Sequence, residues 1–275
     1  NFNIYKKLID ELLNTNELSK ADSYGTWASL RNMLVNLTKK LKENSSFDPR
    51  YAEIFGRFLI IAHYYALRAA LLKVAGSDPQ IQLCATKLSI SALRHSDLIP
   101  ADKAFYEAGM ACKDQGGQYE GMGFIFLNHY LDLTDAIEEQ KPEMVDNAVL
   151  EGTDIPTEIP LPEKMFLSED QHEEVREWVL TVSVDKQFDG QLLTDKRGVY
   201  EASLLGPDGT QADPCIVTGY PVIGEKKTFG SSNVAANKDD WNKLLMATKM
   251  SKAREIEDVQ KFIGIWTGSA VSMAL

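Results

Sequence analysis

Hydrophobic side chains recur at helical spacing through the first half of the chain. Six amphipathic runs are separated by short polar breaks, and they cover residues 2–14, 24–41, 49–75, 80–95, 100–115 and 119–139. Asp48 and Asp78 each precede a proline, which predicts a capping carboxylate followed by proline at the first helical position. Six consecutive helices with short turns predict antiparallel hairpins stacked in series over residues 1–140, as in an α-solenoid. A plain helical bundle is the alternative.

One of these helices carries small residues where a neighbouring helix can approach closely. In the segment from Ala101 to Ala111 they are Ala104, Ala108 and Ala111. This segment resembles a tetratricopeptide-type helix, although no strict repeat length is visible along the chain. The resemblance implies a degenerate, tetratricopeptide-like solenoid.

Residues 141–176 form a connector of different composition. The stretch from Glu151 to Pro162 combines prolines with alternating aliphatic residues, so it favours an extended path over a helix. The aliphatic residues are Ile155, Ile159 and Leu161. Because these side chains would face water in a free spacer, we expect a strap that lies against the helices. Ser168 then predicts the N-cap of a further helix with an acidic first turn.

From Trp178 onward the hydrophobic pattern changes from helical spacing to alternation. This predicts a strand over residues 178–184, a second strand over residues 198–205 and a tight turn over Gly206–Gly209. The predicted fold class is therefore α+β, with residues 177–275 as a small terminal domain that begins with a β-hairpin.

The net charge of −11 is concentrated in the middle of the chain. Residues 138–176 hold 12 acidic and three basic side chains, whereas the flanking regions are nearly balanced. This pattern predicts two near-neutral domains joined by an acidic connector. Without a basic surface, nucleic acid is not an expected partner. We also find no signal-peptide segment and no apolar run that predicts a transmembrane segment, so we expect a cytosolic piece of a longer protein.

The cysteines and histidines do not form a pattern typical of a metal or catalytic site. Cys84, Cys112 and Cys215 are scattered, which fits a reducing compartment without disulfides. His63 and His129 stand among aromatic residues and are interpreted as core or groove histidines. No glycine-rich phosphate loop and no nucleophile elbow is present. We predict no cofactor, no metal and no catalytic residue.

A compact motif lies near the end of the chain. An apolar turn, P-C-I-V-T-G-Y-P-V, precedes a polar loop, G-S-S-N-V-A-A, and a helix that begins near Asn237. This order resembles a U-box, the metal-free relative of the RING ubiquitin-ligase domain. The turn residues of the motif are Pro214, Cys215, Thr218 and Gly219. Each structural zinc ion of a RING needs four Cys or His ligands, and from Trp178 onward the chain offers only Cys215. An ordinary hairpin followed by a helix, without a partner, is the alternative.

The U-box resemblance implies a docking surface for a ubiquitin-conjugating enzyme. Val217 falls on the exposed apolar position of the turn, Ser231 and Ser232 on the loop, and Trp241 on the helix. One departure concerns the second U-box loop, because residues 246–250 leave no room for it before the last predicted helix, which covers residues 251–266.

Four longer runs carry a second resemblance. They are E-W-V-L-T-V-S-V, R-G-V-Y-E-A-S-L, P-C-I-V-T-G-Y-P-V and A-N-K-D-D-W-N-K-L-L. With the preceding helices, the chain resembles the C-terminal region of the intraflagellar transport protein 172 family, large peripheral subunits of the intraflagellar transport B complex. The resemblance implies a location in the cilium or flagellum and at the basal body, on the cytoplasmic side. It also implies a role in cilium assembly and other intraflagellar transport subunits as partners.

Two functions follow from these resemblances. The first is a transport scaffold that binds other subunits, with a U-box-like module that could dock a ubiquitin-conjugating enzyme and ubiquitin. The alternative is an active U-box ubiquitin ligase that promotes ubiquitylation, including its own. Such a ligase supplies no nucleophile; it holds the thioester-linked ubiquitin in a geometry ready for attack by a lysine.

Overall fold

The computed structural model describes residues 2–15, 23–44, 46–76, 78–185, 190–230, 232–251 and 253–269. The α-helices in these ranges are α1 (Phe2–Leu13), α2 (Tyr24–Glu43), α3 (Pro49–Ala75), α4 (Pro79–Ala92), α5 (Ala101–Gln115), α6 (Glu120–Glu139), α7 (Glu169–Asp185), α8 (Lys238–Ser251) and α9 (Arg254–Thr267). Short 3-10 turns lie at Leu93–His95, Gly117–Tyr119, Pro142–Met144 and Ala148–Leu150. Two strands, β1 (Lys226–Thr228) and β2 (Ala235–Asn237), pair antiparallel. A mainly helical chain with a small α+β part confirms the coarse fold class.

The six helices predicted in the first half of the chain are all present. The Asp48 side chain accepts a hydrogen bond from the backbone N of Arg50 at 3.0 Å, and the Asp78 side chain accepts one from the backbone N of Gln80 at 2.9 Å. Both carboxylates satisfy backbone donors that have no partner inside a helix. At the other end of α3, Gly76 adopts a φ of +50°, a conformation that glycine reaches without a steric penalty.

The strand predicted over residues 178–184 is wrong, because this segment continues α7 to Asp185. The buried face of α7 repeats at helical spacing through His172, Val175, Val179 and Val182. The apparent alternation also relied on Leu180 and Val184, which are 61% and 84% exposed. Residues 178–184 therefore fit both the alternation of a strand and the spacing of a helix. Packing of the valine face selected the helix over the β-propensity of these residues.

The second predicted strand, over residues 198–205, is also wrong. The chain there forms turns with isolated bridges between Thr194 and Tyr200 and between Leu205 and Gln211. The tight turn that was expected next is confirmed, since the backbone N of Gly209 donates to the carbonyl oxygen of Gly206 at 3.1 Å. In the residues that the structure describes, the terminal segment consequently has no preceding β-hairpin, and its sheet is limited to β1 and β2.

The chain divides into two compact units, and each contains segments that are distant in sequence. The first unit comprises Asn1–Asn16 and Ser89–Gln211, and the second comprises Glu17–Leu88 and Ala212–Leu275. The chain thus leaves the second unit within α4 and returns to it near Ala212. The linear domains predicted from sequence, with boundaries at residues 140 and 176, stay a prediction.

In the first unit, α5 and α6 pack at close range. A Cβ atom added at Gly123 would lie 2.9 Å from the backbone N of Lys113, and one added at Gly109 would lie 2.6 Å from the Leu127 side chain. Ala104 and Ala108 of α5 are buried as well. Small residues therefore set the distance between these helices, as the sequence of α5 indicated.

The strap expected between residues 151 and 162 is confirmed. Ile155 is buried, and Ile159 and Leu161 are half-buried. Just beyond it, the backbone N of Phe166 donates to the Asp102 carboxylate at 2.6 Å. Burial raises the pKa of Asp102, and the hydrogen bonds that it accepts from Phe166 and Lys103 oppose that rise.

One described helix, α3, is long and apolar enough to cross a bilayer by length and composition alone. Within the fold, 72% of the most apolar 18-residue stretch of this helix is buried. The expectation that no apolar run reaches this length is therefore wrong. Burial of most of this helix gives the physical reason for its apolar composition, because neighbouring elements cover a helix of this kind.

We expect Gly123→Ala to lower the free energy of unfolding by about 1–3 kcal/mol, because the new methyl group meets the backbone of α5. Gly56→Ala is the matched control, since a Cβ atom there meets nothing within 4 Å and alanine favours a helix by up to about 1 kcal/mol. Chemical denaturation of both variants measures the difference. Equal midpoints for the two variants would contradict the close approach of α5 and α6.

Candidate functional site

The candidate site is the turn that begins at Pro214, and its backbone closes on itself. The backbone N of Gly219 donates to the carbonyl oxygen of Cys215 at 2.7 Å, and the backbone N of Cys215 donates to the carbonyl oxygen of Tyr220 at 2.7 Å. Gly219 has a φ of +72°, which explains the glycine at this position. Pro214 and Pro221 form an isolated antiparallel bridge. The turn is therefore a closed, hydrogen-bonded loop.

A buried carboxylate joins this turn to α8. Asp240, 3% exposed, accepts a hydrogen bond from the Thr218 hydroxyl at 2.9 Å and one from the Asn237 side-chain amide at 3.3 Å. The Cys215 thiol lies 3.6 Å from the same carboxylate oxygen. The backbone N of Ile216 donates to the carbonyl oxygen of Ala235 at 2.9 Å, which ties the turn to β2. We call Cys215, Thr218, Asn237 and Asp240 the polar cluster.

Lys87 of α4 balances the charge of the polar cluster. Its Nζ lies 4.0 Å from Asp240 Oδ1 and 4.9 Å from the centre of the Tyr220 ring. A buried carboxylate is costly unless a cation and hydrogen bonds compensate for the lost water. The cluster thus depends on a residue more than 120 positions earlier in the chain.

The chemistry of Cys215 is that of a buried thiol. Burial, with the nearby Asp240 carboxylate, raises the pKa of Cys215 to about 11. A thiol with such a pKa is protonated at neutral pH and is a poor nucleophile and a poor metal ligand. In the part of the chain that the structure describes, no group of three or more His, Cys, Asp or Glu residues is placed to hold a metal ion.

The residues predicted to dock a conjugating enzyme do not share an exposed surface. Val217 is fully buried in the core that includes residues of α3 and α4, so the expectation of an exposed apolar position is wrong. Trp241 is 4% exposed and packs edge-on against Phe229, with ring centres 5.0 Å apart. Ser232 is half-buried, and its hydroxyl donates to the carbonyl oxygen of Phe229 at 2.8 Å. Ser231 lies outside the described residues. A docking role for these residues stays a prediction.

His63 is a core histidine, as its aromatic surroundings indicated. Its Nε2 lies 2.7 Å from the carbonyl oxygen of Ile216, and its ring contacts Phe262 and Trp266 of α9. Burial, reinforced by the nearby Arg31, lowers the pKa of His63 to about 3. The imidazole is therefore neutral at physiological pH.

A second charged contact joins α2 to α9. The fully buried Arg31 places its guanidinium 4.0 Å from the centre of the Phe262 ring and donates to Asp258 at 3.1 Å. The Tyr24 hydroxyl donates to the same Asp258 oxygen at 2.5 Å. Sequence reasoning missed this contact and the role of Asp240. For Asp240, the only signal in the sequence was the acidic first turn of α8, which also has a simpler explanation in the helix dipole.

Comparison with known proteins defines the class of protein to which the chain belongs. No family model matches the chain. It is 48% identical to the intraflagellar transport protein 172 homolog of Mus musculus over 273 residues, which are 99% of this chain and 15% of the mouse protein. It is 44% identical to the intraflagellar transport protein osm-1 of Caenorhabditis elegans, over 100% of this chain and 15% of that protein. Identity to intraflagellar transport protein 172 of Chlamydomonas reinhardtii is 32%, over 90% of this chain and 14% of the algal protein.

These relatives are all intraflagellar transport proteins. The chain belongs to the intraflagellar transport protein 172 family and corresponds to a C-terminal region of its members. It spans about 15% of the length of the curated relatives that it matches.

We expect Asp240→Ala to lower the free energy of unfolding by about 3 kcal/mol, because the change leaves Thr218 and Lys87 without their buried partner. Asp239→Ala is the matched control: its carboxylate is 80% exposed and pairs with Lys243, and its loss should cost less than about 0.5 kcal/mol. Urea denaturation compares the two variants. A smaller effect at Asp240 than at Asp239 would remove the polar cluster as a stabilising element.

We also expect His63 to make stability depend on pH. Because the folded pKa is near 3 and the unfolded value is near 6.5, the contribution of neutral His63 is complete above pH 6.5 and is lost as the pH falls towards 3. His63→Gln keeps a neutral donor for Ile216 and removes the titration. Between pH 6.5 and 4.5 the unaltered chain should lose about 2 kcal/mol relative to this variant. A stability difference that does not change with pH would contradict a buried, neutral His63.

Proposed function

We propose that this chain is a protein-binding segment of an intraflagellar transport subunit and acts as a scaffold for other transport subunits in the cilium or flagellum. The observation that carries the proposal is the identity of 44–48% to intraflagellar transport proteins of animals over nearly the whole chain. The closely packed helices α5 and α6 are consistent with a tetratricopeptide-like hairpin, an architecture that offers extended surfaces for protein binding.

The distribution of charge between the two units supports a binding role for the first unit. Its segments hold 27 acidic and 11 basic side chains, a net charge of −16, whereas those of the second unit hold 13 acidic and 18 basic, a net charge of +5. The difference in net charge between the two units is therefore larger than the differences between successive regions of the sequence. A surface of one sign steers a partner of the opposite sign and selects against others.

The outer face of α7 is the most concentrated part of this acidic surface. Glu169, Asp170, Glu173, Glu174 and Glu177 are exposed, and the opposite face is buried. On α6, which packs against α7, Asp132 has a pKa raised to about 6 by burial and by the like charges of Asp146 and Asp135. Repulsion among carboxylates of this kind is relieved when a cationic partner binds. A basic surface on a neighbouring transport subunit fits this face.

We expect the double substitution Glu174→Lys with Glu177→Lys to weaken binding of the chain to purified intraflagellar transport B proteins at least about tenfold, because it reverses the charge that attracts the partner. Glu53→Lys, an exposed position on α3 in the second unit, is the matched control and should bind normally. Surface plasmon resonance at two salt concentrations measures both effects. Binding that is unchanged by the double substitution and by salt would contradict the acidic docking face.

A second candidate function is ubiquitin ligation by the U-box-like motif. The observation that favours it is the order of turn, loop and helix, with the polar cluster joining Thr218 to Asp240 without a metal ion. The motif would dock a charged conjugating enzyme and hold ubiquitin for attack by a lysine.

The test is ubiquitin discharge from a panel of charged conjugating enzymes. It requires all 275 residues, since Val217 and Trp241 are part of a core shared with α3 and α4. Substitution of either residue would disturb that core, so Ser232→Arg on the half-buried loop is the informative variant. Discharge that exceeds the no-protein control and is lost in Ser232→Arg supports a ligase. A rate equal to that control across the panel rejects it.

A further inference from the structure

The outer face of α7 continues beyond its carboxylates into an apolar end. Leu180 and Val184 are 61% and 84% exposed, and they lie one helical turn apart. Single exposed apolar side chains are common on protein surfaces. These two, however, extend a row that begins with Glu173 and Glu177, because the four positions follow one another at intervals of four, three and four residues. We call Glu173, Glu177, Leu180 and Val184 the α7 seam.

The spacing of the α7 seam is that of a surface where two helices pack along each other. Intervals of three and four residues alternate along the seam of a coiled coil, often with a β-branched residue at one position and leucine at the other. The seam runs from Glu173 to Val184, about 16 Å along the helix axis, or about three turns. A partner helix of similar length would cover it.

The opposite face of α7 holds the helix in place. Val175, Val179 and Val182 are buried, and His172 Nδ1 lies 3.1 Å from the Tyr130 hydroxyl of α6. The α7 seam is therefore presented on a helix that is already folded. A partner need not order this helix on binding, which lowers the entropic cost of the contact.

A partner can cover the apolar end of the α7 seam without leaving its hydroxyl donors unpaired. The Thr181 hydroxyl donates to the carbonyl oxygen of Glu177 at 2.8 Å, and the Ser183 hydroxyl donates to the carbonyl oxygen of Leu180 at 2.7 Å. Residues 178–184 carry no charged side chain. Removal of water from this end of α7 therefore leaves few polar groups to compensate, and burial of its apolar side chains is favourable.

The acidic end of the α7 seam selects the kind of helix that fits. Residues 169–177 hold five acidic side chains and one basic side chain, Arg176. A parallel pair of α7 helices from two copies of the chain would place like charges against each other. An antiparallel pair would place the carboxylates of one copy against Leu180 and Val184 of the other. A helix with Lys or Arg at one end and aliphatic residues at the other avoids both penalties.

We propose that the α7 seam binds an amphipathic helix of a partner protein, with aliphatic side chains against Leu180 and Val184 and with Lys or Arg side chains against Glu173 and Glu177. This inference rests on the proposed function, since it names the kind of segment that the acidic face of α7 receives. It adds an apolar contact that charge attraction alone does not require.

The test compares two paired substitutions in the complete chain. Leu180→Gln with Val184→Gln removes the apolar end, keeps the net charge and introduces good helix formers, so binding to purified intraflagellar transport B proteins should weaken at least about tenfold. Met246→Gln with Met250→Gln is the matched control and should bind normally, since these residues are 52% and 75% exposed at the same spacing on α8. Surface plasmon resonance should show this difference also in about 1 M salt, which screens the charges.

Photocrosslinking in the same mixture identifies the occupant. With benzoylphenylalanine in place of Thr181, which is exposed beside Leu180, the captured segment should carry aliphatic residues at intervals of three and four and Lys or Arg at one end. Its synthetic peptide should become helical when it binds the chain, as circular dichroism measures. This arm keeps Leu180 and Val184, so it decides the matter even where the paired glutamines disturb α7.

Any of four results overturns the inference. They are unchanged binding by the Leu180 and Val184 pair, equal weakening by the methionine pair, a captured segment that does not become helical, and self-association of the chain through Leu180 and Val184 in sedimentation. If the first result accompanies weakened binding by Glu174→Lys with Glu177→Lys, the proposed function stands without the apolar contact. Absence of any binding by the unaltered chain rejects the proposed function and this inference together.

Discussion

The second unit depends on one apolar core built from two distant parts of the chain. Buried residues between Tyr64 and Leu88 share this core with buried residues between Cys215 and Ile263. The described strands of the terminal segment are three residues long, and an isolated two-stranded hairpin is at best marginally stable in water. The helices of the earlier segment therefore supply the apolar cover that the terminal segment lacks. This constraint explains why Val217, at the tip of the candidate turn, is fully buried.

Polar contacts then fix the terminal segment within that core. Asp240 holds the turn to α8, and Lys87 of α4 compensates its charge. Asp258 of α9 accepts hydrogen bonds from Arg31 and Tyr24 of α2, and Lys73 of α3 pairs with Glu255 of α9 at 2.5 Å. Among these groups Asp240 and Arg31 are buried, and a buried charged group favours one arrangement because the loss of its partner leaves a costly unpaired group.

Local sequence signals predicted the local structure well. The Asp-Pro pairs gave the starts of α3 and α4, and the small residues of α5 indicated close packing against α6. The signals failed where the choice depended on contacts between distant segments. The run from Trp178 to Val184 fits both a strand and a helix, and only the burial of Val175, Val179 and Val182 selects the helix. Likewise, no local pattern shows that the chain returns to the second unit near Ala212, and so the burial of Val217 was not predictable.

The most direct test of this account is the folding of residues 212–275 expressed alone. If the terminal segment depends on the core supplied by residues 17–88, the isolated segment should show poorly dispersed amide signals and no cooperative thermal transition, whereas the complete chain shows both features of a folded protein. A cooperative transition with dispersed signals from the isolated segment would contradict the dependence of this segment on the shared core.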